Sequence, residues 1–335
     1  LSRSTMLQLQ RYLADLVLLK PLNLFYRVFP LFAIAHELTS IPQTLAMATA
    51  LTLREFEDDG CCYIELRSTP KETSHMTYKQ YIEAIIQTLK NSTSSIIACL
   101  IISINRNSHQ QEIEAITDLA IEYHKKYPDL VVGIELSGNP AVGKFQHFVP
   151  ALTRAREAGL KITLHCGEIC NPQEVIEMLK FKPERIGHGY VLVVSLNFDY
   201  CNILKINEIF ISEVCLTSNV NTKSTLDYSS HHFKELYNAN IPVTICTDDK
   251  GIFATSLSQE YLVVTGFRNK IGKQTITINY TTLLKDVKYI LQFLKSEVLI
   301  LTLIFSSHKV FPILSKKSET HITNKIYYIF NIQND

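Results

Sequence analysis

The chain has 335 residues and carries 33 Lys and Arg against 32 Asp and Glu, a formal net charge of +1 without the basic excess of a polyanion binder. With 46% hydrophobic and 19% charged residues it is too apolar for a disordered chain, and no apolar run approaches the roughly 20 residues of a membrane helix. Eight cysteines are dilute in the chain, and Cys61, Cys62, Cys99, Cys215 and Cys246 sit in apolar runs, which predicts reduced, buried thiols in a cytoplasmic protein.

Short β-type runs recur along the chain, each ending in polar residues. CCYIEL (61–66) runs into Arg67, Ser68 and Thr69; IIACLIISI (96–104) into Asn105 and Arg106; VVGIEL (131–136) into Ser137 and Gly138. KITL (161–164) leads to His165 and Glu168, Arg185-Ile186-Gly187 to His188, residues 209–216 to Thr217, Ser218 and Asn219, and residues 243–246 to Thr247, Asp248 and Asp249. The runs lack clean alternation, as expected of strands buried on both faces of a parallel sheet. Helical periodicity predicts helices over 77–90, 112–127 and 145–158, the last stopped by Gly159. Alternating β and α units call for right-handed crossovers, and no glycine-rich nucleotide loop follows a strand. The fold class is therefore α/β, a (β/α)8 barrel of the TIM type, with seven of its eight strands visible and its chemistry at the strand ends.

The polar strand ends have the parts of a metal-hydrolytic site. Neutral imidazole and carboxylate are good Zn2+ ligands, and an open position lets the ion hold water with its pKa lowered to about 7. His165 and Asp248 supply imidazole and carboxylate, but catalytic zinc normally takes three protein ligands. A second histidine, His188, could orient or deprotonate that water, and Glu168 could donate a proton. Each residue has an ordinary reading as well: a core histidine, a glycine-flanked turn, or acids capping a helix.

The blocks GIELSGNP, LHCGE, ERIGHG, EVCLTSN and ICTDDKGIF, in this order, resemble the adenosine deaminase family of metal-dependent amidohydrolase barrels, over the chain as far as about residue 267. The resemblance implies one Zn2+ per subunit held by His165 and Asp248. It implies that Glu168 protonates a purine ring nitrogen, that His188 positions and deprotonates the attacking water, and that Asp249 holds that water or the purine. It places the backbone N–H of Gly138 on another ring nitrogen and His36 near the substrate. For a nucleotide, Arg67, Ser68 and Thr69 are candidate phosphate donors, with Thr217, Ser218 and Asn219 at a neighbouring strand end.

Two features depart from the family. Its His-x-His, which supplies two zinc ligands on the first strand, occurs nowhere in this chain; His231 and His232 are adjacent and match a separate HHF segment. Residues 268–335 do not show the family's closing helices, and IYYIFNI (326–332) reads as a β-prone segment open to aggregation. The expected organisation is a deaminase barrel over 1–267, its first strand missing upstream of Leu1, followed by an atypical tail over 268–335. The expected activity is zinc-dependent deamination of a purine nucleotide at C6, N6-methyl-AMP to IMP and methylamine, with this chain itself inactive for lack of two ligands. The alternatives are an adenosine or AMP deaminase, or a barrel remnant that only binds purines or partners. The expected partner is a small purine nucleotide, with no nucleic acid and no membrane, for a cytoplasmic monomer.

Overall fold

The computed structural model describes residues 29–190, 211–238 and 241–270. Seven strands form one sheet whose spatial order is the chain order: β1 (Tyr63–Ser68), β2 (Ile97–Asn105), β3 (Val131–Ser137), β4 (Lys161–Cys166), β5 (Arg185–His188), β6 (Ile211–Val214) and β7 (Val243–Ile245). Every pairing is parallel. Parallel neighbours need a crossover, and helices supply most of them: α3 (Tyr78–Lys90), α4 (Gln110–Lys126), α5 (Val149–Glu157) and α6 (Pro172–Phe181) follow β1 to β4 in turn. Two helices, α1 (Phe29–Leu38) and α2 (Pro42–Asp58), precede the sheet. Short helices α7 (Leu216–Asn221) and α8 (Phe233–Asn238) follow β6, and α9 (Lys250–Phe253) and α10 (Leu257–Lys270) follow β7. No described helix is long and apolar enough to cross a membrane, and Cys61, Cys62, Cys99, Cys166, Cys215 and Cys246 are free thiols.

The two faces of the sheet differ in chemistry. Ile102, Ile104, Ile134, Leu136, Ile162, Leu164 and Ile186 point outward into a continuous apolar core with Ile82, Ile86, Ile116, Tyr123, Leu152 and Met178 of the helices. Alternate residues along the same strands face the other way, and these include Arg67, Ser103, Glu135, Thr163, Arg185 and Glu213. The expectation of strands buried on both faces holds, but ion pairs fill much of the inner face.

Those ion pairs show that the sheet is curled. In a flat sheet β1 and β6 would stand five spacings apart, roughly 24 Å. Yet the Arg67 guanidinium contacts Glu213 of β6 as well as Glu135 of β3, and Arg185 of β5 lies 2.5 Å from Glu65 of β1. No side chain spans such a flat separation, so the strands close around a common interior. Outside the wall, Lys250 of α9 reaches Glu55 of α2 at 3.4 Å, and the Ser258 hydroxyl of α10 donates to Asp59 at 2.6 Å. These contacts join α2, ahead of β1, to the helices that follow β7.

Local sequence explains most helix ends. Thr77 and Gln80 exchange hydrogen bonds in a capping box at the start of α3. The helix expected over 145–158 divides into a 3-10 turn, Phe145–His147, and α5. Pro150 has no N–H to donate to a preceding turn, so it occupies the first turn of a new helix. The first predicted strand begins later than expected, so Arg67 and Ser68 belong to β1 itself. Expectations for residues 1–28, for 271–335 and for IYYIFNI lie outside the described residues.

Candidate active site

His165 and His188 stand near the C-terminal ends of adjacent strands, where the register sets His165 beside Gly187 and Cys166 beside His188. Asp248 follows β7, and Glu168 lies two residues past the end of β4. One ligand atom from each of His165, His188 and Asp248 falls within 4.8 Å of the others. His188 Nε2 lies 3.4 Å from Glu168 Oε1 and 3.9 Å from Asp248 Oδ2. Two of these residues occupy the left-handed backbone region, His188 at φ 63 and Asp248 at φ 54. Such conformations are uncommon for residues other than glycine and cluster at functional sites. They turn the chain sharply off the strand and keep the side chains at the mouth.

His165 is oriented from within the barrel. Its Nδ1 lies 2.9 Å from Glu135 Oε1, close enough for an ion pair though without the alignment of a hydrogen bond. That places the ring hydrogen on Nδ1 and leaves the Nε2 lone pair for a cation, the arrangement of a metal-binding histidine. Burial opposes a charged His165 ring, but Glu135 outweighs it and raises the proton affinity to about 10. Burial equally opposes a charged Glu135, and the Arg67 guanidinium beside it holds the carboxyl far below the usual range. Glu135 also accepts from the Ser103 hydroxyl at 2.7 Å. Asp248 receives a hydrogen bond from the Ser218 hydroxyl at 2.7 Å. Its neighbour Asp249 keeps some exposed surface, yet enclosure and then the Asp248 charge push its carboxyl up to about 8.

The remaining expected residues are distributed as follows. Gly138 follows β3 at φ 97, where a Cβ would come within 2.6 Å of Asn105 Oδ1, so the close approach of the two loops requires glycine. Arg67 departs from expectation: its guanidinium is engaged by Glu135 and Glu213 inside the barrel, so it is a strut of the wall before it is a phosphate donor. The Ser68 hydroxyl pairs with the Tyr81 hydroxyl at 2.8 Å, and Thr69 follows it. His36 is on an exposed turn of α1, its Nδ1 against Lys71 Nζ rather than against the histidines of the site. Thr217, Ser218 and Asn219, expected at a phosphate, are buried in α7 and bond Glu260, Asp248 and His188 instead. Sequence reasoning passed over Glu135, Glu213, Arg185 and Lys71. A charged residue inside an apolar run was their only signal, and for Lys71 its place just after the polar end of β1.

A site of this composition, on the ends of curled parallel strands, narrows the search for relatives. The profile of the adenosine deaminase family matches residues 16–277. An adenosine deaminase-like protein of Drosophila pseudoobscura pseudoobscura is 41% identical over 255 residues, 75% of this chain and 74% of the relative. The chain belongs to the adenosine deaminase family. Bos taurus N6-methyl-AMP deaminase is 38% identical over 261 residues, covering 76% of this chain and 74% of its own length. In three dimensions the chain is similar to Arabidopsis ADAL complexed with IMP, at a TM-score of 0.69 and 36% identity over 80% of this chain and 82% of that one.

Membership of the adenosine deaminase family makes the chain a hydrolytic deaminase by class and accounts for the α/β barrel architecture. The donor set fits a divalent cation. His165 offers Nε2 once its proton is displaced, Asp248 offers a carboxylate, and Glu135 orients the imidazole from behind as the outer partner of a metal-binding histidine does.

Proposed function

We propose that the site carries out hydrolytic deamination of a purine nucleotide at C6, with N6-methyl-AMP as substrate and IMP and methylamine as products. The observation that carries this reading is the convergence of His165, His188 and Asp248 within 4.8 Å, with Glu168 3.4 Å from His188. The names of the relatives give the substrate class: N6-methyl-AMP deaminase for the bovine protein, and a complex with IMP for the Arabidopsis one.

His165 and Asp248 would hold one Zn2+, which when bound supplies a water of lowered pKa beside the substrate. Glu168, at the rim, would give a proton to the purine N1 as the water oxygen bonds C6. Asp249 would hold the water or the amine side of the ring, and His188 faces the water from the β5 side. As the C6–N6 bond breaks, the proton that the water gave up to Asp249 would pass to N6, the C6 hydroxyl proton would return to Glu168, and methylamine would leave. The left-handed turn at Gly138 leaves its backbone N–H to meet a ring nitrogen. For the phosphate, Ser68, Thr69 and His36 line the segment that leaves β1, and Lys71 adds the cation there, since Arg67 already has two carboxylates.

His165 and Asp248 are fewer ligands than catalytic zinc normally takes, and the chain contains no His-x-His. Weak metal retention and little turnover by these 335 residues are therefore part of the proposal. The test measures bound zinc and the release of IMP from N6-methyl-AMP, AMP and adenosine, with zinc supplied in excess. Substoichiometric zinc and slow turnover, preferring N6-methyl-AMP and abolished in Glu168→Gln, are the expected pattern. Equal rates on adenosine would remove the phosphate from the reading, and purine binding without any turnover under saturating zinc would favour a non-catalytic barrel.

A further inference from the structure

The adjacent His231 and His232 have no part in the chemistry above, yet each is only 1% exposed and both pack behind His188. Their hydrogen bonds can be read in one direction only, because the series begins at a backbone amide. The N–H of Phe233 donates to His231 Nδ1 at 3.0 Å, so the hydrogen of the neutral His231 ring is on Nε2. Burial, reinforced by His232 and His188, holds the proton affinity of His231 down at about 2 and keeps this ring neutral. Its Nε2–H donates to Asn219 Oδ1 at 3.2 Å.

That contact fixes the Asn219 amide. Its Nδ2 turns toward His188 Nδ1 at 3.3 Å and toward Ser224 Oγ at 3.0 Å. Ser224 agrees with this orientation, since it uses its own hydrogen on the Asn219 carbonyl at 3.1 Å and is left to accept from Nδ2. A flipped amide would set Nδ2 against the Nε2–H of His231, donor against donor. An amide NH2 only donates, so His188 Nδ1 accepts, and the hydrogen of the neutral His188 ring lies on Nε2. His232 completes the support: its Nε2 lies 2.7 Å from the His188 carbonyl oxygen, which only accepts, and so it secures the left-handed backbone there.

We infer that Asn219 and His231 are positioning residues that lock the neutral His188 ring in the Nε2–H tautomer, so that His188 turns a hydrogen and not a lone pair toward the mouth of the site. The part His188 plays in catalysis rests on the proposed deaminase reading; the tautomer does not. The same hydrogen separates the two histidines of the mouth. His165 turns Nδ1 to Glu135, so that Nε2 offers a lone pair once a cation has displaced its proton, whereas His188 turns a lone pair to Asn219 and presents a hydrogen. Only His165 is therefore arranged to hold a cation through Nε2.

The test is made on the full chain with histidine nitrogens isotopically labelled. Two-bond proton–nitrogen correlations distinguish a protonated from a bare ring nitrogen, and His188 is identified by the signals lost in His188→Gln. The expected wild-type pattern is a protonated Nε2 and a bare Nδ1. Asn219→Asp puts an acceptor where the donor stood and is expected to move the hydrogen to Nδ1. A wild-type ring protonated on Nδ1, a signal averaged between tautomers, or an Asn219→Asp protein that keeps the wild-type pattern would overturn the inference. Should Asn219→Asp not fold, the wild-type spectrum decides alone. The spectrum needs no substrate, so a chain with the Nε2–H signature and no turnover of N6-methyl-AMP upholds this assignment while overturning the proposed function.

Discussion

His165 owes both its orientation and its proton to one carboxylate. Glu135, nearly fully buried and itself tied to Arg67 and Ser103, faces His165 Nδ1 at 2.9 Å. Without a cation, burial works against the charged ring but Glu135 prevails, and the ring keeps its proton up to about pH 10. A cation must displace that proton, so one proton leaves for each ion bound. Apparent affinity for Zn2+ or Co2+ is therefore expected to rise about tenfold per pH unit across the neutral range. Equilibrium dialysis from pH 6 to 9 measures it, and Glu135→Gln should flatten the slope above the ordinary histidine range of about 6.5. A wild-type affinity independent of pH would contradict the assigned orientation. At Gly138 the constraint is steric. A Cβ there meets Asn105 Oδ1 at 2.6 Å on a backbone at φ 97, so Gly138→Ala is expected to cost about 1–3 kcal/mol in urea unfolding.

Among elements, the loop after β3 depends on a neighbour it does not adjoin in sequence. Arg106, one residue past β2 and with a side chain 1% exposed, donates to the Gly143 carbonyl at 2.9 Å and to both Glu174 carboxylate oxygens at 3.1 Å. Glu174 also accepts from the Phe145 N–H at 3.1 Å, so one ion pair joins β2, the loop and the start of α6. Glu174→Ala would strand a buried guanidinium and is expected to destabilise by about 3–5 kcal/mol, whereas Arg106→Met with Glu174→Leu should recover most of the loss. Denaturant midpoints of the two proteins decide between this clamp and a passive contact. The chemistry-bearing strand ends were legible in the sequence because a parallel barrel sets its polar residues just after apolar runs, as at His165, His188 and Asp248. The partners of Arg67 were not. A residue type cannot say whether a guanidinium turns outward to a phosphate or inward to Glu213, and that choice depends on the curvature of the whole wall. Asn219 was legible as a polar strand-end residue. Its role beside His188 was not, because it depends on a short helix replacing the expected loop.

For the molecule as a whole, the charged interior sets a pH window. Two groups of the mouth bind protons more tightly folded than unfolded: Asp249, raised from 3.8 to about 8, and His165, raised from 6.5 to about 10. For a group raised in this way, the stabilisation is complete below its unfolded value and is lost as pH rises through the folded one. Glu135 and Glu213 have the opposite sign. Burial works against their charge, but Arg67 holds both carboxyls below the ordinary 4.5, so their contribution is present above that value and is lost as pH falls. Metal-free protein is thus expected to be most stable near the ordinary carboxylate value of about 4.5 and to weaken as pH rises to 10, Asp249 accounting for the loss up to about pH 8 and His165 for the loss between about 6.5 and 10. Bound Zn2+ supplies the positive charge that those protons had supplied, so the alkaline decline should shrink when zinc is in excess. Urea midpoints at pH 6, 8 and 10, with chelator and with zinc, measure both curves. A chelated protein as stable at pH 10 as at pH 7 would mean that the two raised groups do not share the enclosed mouth the structure gives them.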